Sequence, residues 1–329
     1  MSSPSTPRRL PFVQVPAEPP PTPTDGVAGS PEPRTPLVAR QWWLLSVAAV
    51  VVAAAGDVVA LLAARRMYGQ ETTGFVDQLR AQDVVGLVVV APLLVVLGAG
   101  ARRGSVRAYT GWLGCVAFTA YSYAIYAFSV HFGPLFPVWV AVLGLSFYAL
   151  LGALTTGDAV AVARSFRRRA MPLLGGTLVV SGTAFALLWL GQIATDLVAG
   201  PGSGTAAALH LPTNPVHVLD LALFLPAVLT SAVLLLRRRA LGYVTAPAVL
   251  VFLILTCLPV LVTPLMSLAA GRPADWGAAP PMGVVLVASA AVLARALGSA
   301  RPSLSAGPSS GPSTGSSSGP GGRRRRARP

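Results

Sequence analysis

Eight long apolar runs, separated by short polar turns, constrain this chain more than anything else in it. The first, at about 42–64, reads "WWLLSVAAVVVAAAGDVVALLAA"; the second, at about 84–101, reads "VVGLVVVAPLLVVLGAGA". Others follow at about 108–130, 136–162, 171–195, 215–236, 243–267 and 281–299. An apolar run of about 18 residues or more reads as a membrane-spanning helix. Lipid offers no partner for backbone N–H and C=O groups, so each span must satisfy them internally as a helix. The runs are too uniformly apolar for the alternating strands of an outer-membrane barrel. The fold expected is therefore all-α, a polytopic membrane protein with about eight transmembrane helices and disordered N- and C-terminal tails. Its parts are a Pro-rich tail over 1–39, an eight-helix transmembrane domain over 40–299, and a Gly/Ser-rich tail over 300–329.

The charges lie in short clusters between the runs. Only 11% of residues are charged, yet the formal net charge is +14. Every basic residue is arginine, and the arginines flank apolar segments instead of interleaving with aromatics on a basic face, so a nucleic-acid binder is not expected. The positive-inside rule sets the orientation. With both termini cytoplasmic, every arginine except Arg65, Arg66, Arg80 and Arg272 falls inside. This predicts a multi-pass cell-membrane protein. The first outer loop carries three of those exceptions, Arg65, Arg66 and Arg80. The tail ending in "GGRRRRARP" places Arg323, Arg324, Arg325 and Arg326 where they would contact anionic lipid headgroups. Cys115 and Cys257 both fall in apolar runs, without metal-ligand spacing, and read as buried thiols.

The polar residues inside or near the spans gather toward the outer side. Asp57 lies about 15 residues into the first run, roughly 22 Å along a helix. Ionisable groups in a span are costly and usually face the bundle interior at a site or pathway. Tyr121, Tyr123 and Tyr126 occupy the outer half of the third run, and His131, His210 and His217 are all on the outer side. In "LHLPTNPVHVLD" (209–220), Asn214 suits an N-cap and Pro215 the first helical position. His217 and Asp220 then share a helix face. Asp57, Tyr126, His131, His217 and Asp220 are the candidate lining of an outward-facing polar pocket.

"YSYAIYAFSVHFGPLFPVWVAVLGLSFYAL" (121–150), "PTNPVHVLDLALFLPAVL" and "RRRALGYVTAPAVLVFL" resemble a group of uncharacterised bacterial multi-pass integral membrane proteins. That group shares a Tyr-rich span, a "PLF" turn, an "NPVHVLDL" helix start and an "RRxxLGY" inner loop. An Asn often precedes its turn, where Gly133 stands here. The resemblance implies a membrane protein and carries no activity. Three readings stay open: a transporter-like or ligand-sensing protein, a metal-dependent membrane enzyme or redox protein using the histidines, and a non-catalytic accessory subunit. The cofactor is left unknown, and the lipid bilayer is the one partner the chain itself calls for.

Overall fold

A computed structural model of the chain describes residues 35–167, 171–200 and 202–300. Apart from 35–39 and Ala300, the two tails expected from the sequence lie outside these residues, and so do Arg323, Arg324, Arg325 and Arg326. The described residues form eight long helices: α1 (Arg40–Leu62), α2 (Thr73–Arg102), α3 (Val106–Ser129), α4 (Phe136–Thr156), α5 (Met171–Ala199), α6 (Pro215–Leu236), α7 (Ala240–Ala269) and α8 (Ala279–Gly298). Short helices at Ala64–Met67, Ala159–Ser165 and Gly204–Ala208 sit in the connections. Seven of the eight are long and apolar enough to cross a membrane, which makes this an integral membrane protein. The exception is α3, whose tyrosines, threonines and serines dilute its hydropathy. It is long enough to span, and most of its residues are buried in the bundle, against α2, α4 and α7. A helix shielded from lipid by its neighbours can carry that polarity.

Two expected boundaries move. The second span was placed from about residue 84, but α2 starts at Thr73. Thr72 caps it by accepting from the Phe75 N–H, and Phe75 and Leu79 bury one face. The polar residues of 73–85 hid this helical start from a hydropathy reading, and two of them, Asp77 and Asp83, are buried with Phe75 and Leu79. The fourth span, expected to run to about 162, ends at Thr156, and Asp158 caps a separate short helix.

The α2–α3 and α6–α7 regions repeat one construction at a constant interval. Each long helix contains a π turn, at Gly86–Val90 in α2 and Asp220–Phe224 in α6. Each π turn is followed by a proline, Pro92 or Pro226, just where the α-helix resumes. Each helix ends in arginines and a residue in the left-handed region, Gly104 (φ 79°) or Arg238 (φ 58°), 134 positions apart (238 − 104). The closing hydrogen bonds match at the same interval: Gly104 N–H to Ala101 O and Ser105 N–H to Gly100 O, against Arg238 N–H to Leu235 O and Arg239 N–H to Leu234 O. The next helix then begins, with a buried tyrosine in its first turn, Tyr109 or Tyr243. The sequence also sets "RRRAMPLLGG" (167–176) beside "RRRALGYVTAP" (237–247) as a candidate repeat of helical hairpins, and 168–170 of that pair lie outside the described residues.

Candidate functional site

Four aspartates are buried among the described residues; Asp77 meets Arg272 and Ser267, and the other three are held by aromatic donors. Asp57, five residues before the end of α1, is 6% exposed and accepts from the Tyr123 hydroxyl (2.8 Å to Oδ1). The first helix therefore does not stop short of Asp57. Asp83 of α2 is 1% exposed and accepts from Tyr126 (2.5 Å) and Tyr68 (3.0 Å). Tyr126 also lies 3.1 Å from the Leu79 carbonyl. The Tyr68 phenol lies in the α1–α2 connection, and burial, with Asp83 beside it, pushes its pKa well above the ordinary value. Asp220, in the π turn of α6, accepts from Tyr121 (2.7 Å) and from the indole of Trp189 (2.8 Å).

The side chains of α3 thus serve two regions. Tyr123 and Tyr126 turn to Asp57 and Asp83, while Tyr121 turns to Asp220. Around Asp220, His217 Nε2 lies 3.1 Å from the Gln192 amide oxygen, and its ring lies 4.9 Å from that of Trp189. Asn214 caps this helix start as expected, accepting from the Val216 and His217 N–H groups. Of the five candidate residues, Asp57 and Tyr126 belong to one region and His217 and Asp220 to the other. His131 belongs to neither network. Its ring and its backbone N–H both meet the Glu71 carboxylate, at 2.9 and 2.8 Å, tying the end of α3 to the α1–α2 connection.

No arginine or histidine makes an ion pair with Asp57, Asp83 or Asp220 among the described residues. The two pairs present are His131–Glu71 and Arg272–Asp77, the latter supported by Ser267 donating to Asp77 at 2.7 Å. The nearest cation along α2, Arg80, lies three residues before Asp83. A buried carboxylate without a counter-charge is expensive, so hydroxyl and indole donors here do work that water does elsewhere.

A cavity of about 20 Å³ opens beside Asp57, between α1, α2 and α3. Val50, Ala53, Val90, Ala91 and Phe118 make its walls mostly apolar, and Asp57, Gln82, Thr119, Ser122 and Tyr123 stand among them. Gly86, in the π turn of α2, makes the room: a Cβ there would stand 2.8 Å from Asp57 Oδ2. Among the described residues no three His, Cys, Asp or Glu side chains converge as metal ligands, so the metal-dependent alternative gains no support. Cys115 and Cys257 are buried free thiols.

Sequence reasoning missed Asp83, Tyr68, Gln82 and Trp189. Asp83 reads as a loop acid until it is set in register with Phe75 and Leu79, eight and four residues earlier, which places it on the buried face of a helix. The chain matches no protein-family profile, no curated protein and no solved structure. The function must be argued from the site.

Proposed function

We propose that this protein is a transporter-like or ligand-sensing membrane protein that takes a cation or proton at Asp57. The observation that carries the reading is the Asp57 carboxylate, buried within a span, without an ion pair, and beside a small, mostly apolar cavity. Such a group gains most from a positive charge arriving from solution. Tyr126 acts one step away, holding Asp83, and Tyr123 orients Asp57 itself. His217 and Asp220 form the corresponding polar region of the second half, and His131 with Glu71 stands at the end of α3. Asp57 lies near the end of α1, away from the arginine-bearing turns after α2 and α6. By the positive-inside rule that end faces out of the cell, with both termini cytoplasmic and the protein in the plasma membrane. The Arg323–Arg326 cluster would hold the tail to anionic headgroups on the inner side.

The test is flux. Purified protein in proteoliposomes, given an imposed proton or alkali-cation gradient, should move charge. Asp57→Asn keeps the shape but loses the charge, and should slow that movement by roughly tenfold or more. Equal flux in wild type and Asp57→Asn for every cation tried would sink the reading.

A further inference from the structure

Each of the acids held by aromatic donors has two carboxylate oxygens, and every one of these except Asp57 Oδ2 has a donor. Tyr126 donates to Asp83 Oδ1, and Tyr68 to Asp83 Oδ2 at 3.0 Å. Tyr121 donates to Asp220 Oδ1 and the Trp189 indole to Asp220 Oδ2. Tyr123 donates to Asp57 Oδ1, and nothing among the described residues donates to Oδ2. Asp57 Oδ2 lies against Gly86 of α2, the residue whose missing side chain leaves the small cavity beside it open.

The surroundings decide what this oxygen can accept. Val50, Val90 and Phe118 are among the apolar walls of the cavity. A metal ion there would exchange its water shell for one carboxylate, whereas hard cations take several oxygens. A proton needs one lone pair and no shell. It also cancels the charge that burial makes costly, since a buried carboxylate without a counter-ion neutralises itself by taking a proton. From this we infer that the cation taken at Asp57 is the proton itself, bound on Oδ2, while Asp83 keeps its charge. The inference rests on the reading of Asp57 as the place where positive charge is taken, and it names the ion. Binding forms one O–H bond at Oδ2 and leaves Asp57 neutral; release breaks that bond and restores the carboxylate. Oδ1 is then the carbonyl oxygen and still accepts from Tyr123. The cavity of about 20 Å³ has room for about one water as partner of the new O–H, since a water needs about 10–15 Å³.

The two acids of this region divide their roles by their donors. Asp57 meets α2 at Gly86, three residues past Asp83, and the phenols that hold the acids, Tyr123 and Tyr126, pack with rings 5.3 Å apart. Like charges set so close in a dry bundle do not both ionise cheaply. Donors to both oxygens favour the charged form of Asp83, and Arg80 lies one turn earlier on the same helix. Asp57, with a single donor, is the acid that takes the proton. Tyr68, Tyr123 and Tyr126 complete the titratable groups around the pair, and burial, with Asp83 beside it, keeps the Tyr68 phenol protonated. The other helix packed on α1 is α4, whose one titratable side chain, Tyr148, is exposed.

The experiment is infrared difference spectroscopy of the full-length protein in proteoliposomes, stepped from neutral to alkaline pH. A protonated carboxyl group has a carbonyl stretch clear of the amide bands, and that stretch moves down in D2O. The wild type should show such a band at neutral pH and lose it as the pH rises. Asp57→Asn should abolish the band. Tyr123→Phe should keep it and shift it to higher frequency, because the Oδ1 carbonyl loses its donor. That shift needs no charge change at Asp57 and still reads the site if Asp57→Asn does not fold. A wild type without the band, or a band unmoved by Tyr123→Phe, would overturn the inference. So would a band that survives Asp57→Asn and is lost in Asp83→Asn, which would put the proton on the other acid. Asp57-dependent flux of an alkali cation without the band would sink this inference and leave the proposed function standing. The Asp57 band in a protein that moves neither protons nor alkali cations would do the opposite: the bound proton would stand and the transport reading would fall.

Discussion

Tyr121, Tyr123 and Tyr126 divide their hydroxyls among three carboxylates, which explains why one helix carries so many tyrosines. A phenol spans the width of a packed interface and still delivers one O–H at its tip. The helical period does the sorting: Tyr123 and Tyr126 are three apart and share a face, with rings 5.3 Å apart, while Tyr121 points toward α6 and α7. Replacing one such donor leaves a buried acceptor short. Tyr123→Phe should therefore cost about 1–3 kcal/mol of stability. Tyr148 is exposed and makes no such bond, so Tyr148→Phe is the control and should leave the unfolding midpoint unchanged. Equal midpoints for the two variants in detergent melts would mean that the Tyr123–Asp57 bond contributes nothing. Asp57 and the tyrosines were legible in the sequence because a polar residue stands out in an apolar run. Asp83 was not, since the residues around it are polar and hide the helix that buries it. Nor was the cavity, because it is made by the missing side chain of Gly86, and a glycine among valines carries no signal of what it faces.

At the scale of elements, hydropathy located the helices well, because a bilayer demands length and apolarity and little else. Backbone irregularities escape such a reading. Nothing in "GLVVV" or "DLALF" marks a π turn, and only the proline that follows each hints that the ladder is disturbed. The recurrence at a constant interval became visible through backbone hydrogen bonds and φ angles, while most side chains at matched positions differ. One of those differences has an energetic consequence. The turn after α2 meets its left-handed position with Gly104, and the turn after α6 meets it with Arg238. A side chain in that conformation costs roughly 1–2 kcal/mol. Arg238→Gly should accordingly raise stability by several tenths of a kcal/mol to about 1, once the greater freedom of glycine in the unfolded chain is subtracted. Gly104→Ala should lower stability by about 1 kcal/mol for the converse reason. Paired melts of the two variants check the idea, and shifts of the same sign would show that the two turns are not equivalent.

At the scale of the whole molecule, the arginines and the buried acids occupy opposite ends of the helices they share. Asp83 lies in the first half of α2 and Arg102 at its last residue; Asp220 lies in the first half of α6, with Arg237 just past its end. A bundle inserted with its arginine-rich turns inside must then open its carboxylate region toward the outer face. The one contrary cluster, Arg65, Arg66 and Arg80, lies beside the acids of the α1–α2 connection and early α2, and acids weigh little in setting orientation. Topology is therefore a sharp test. Both cysteines are buried and free, so a background with Cys115 and Cys257 replaced by Ala gives a chain without thiols. Single cysteines are then placed at Gly202, between α5 and α6, and at Gly104, between α2 and α3. A membrane-impermeant thiol reagent applied to intact cells should label the Gly202→Cys protein at once. It should label the Gly104→Cys protein only after permeabilisation. The reverse pattern would invert the molecule and turn the Asp57 cavity toward the cytoplasm. The cation would then load from inside, and any transport through Asp57 would have to be reasoned as export.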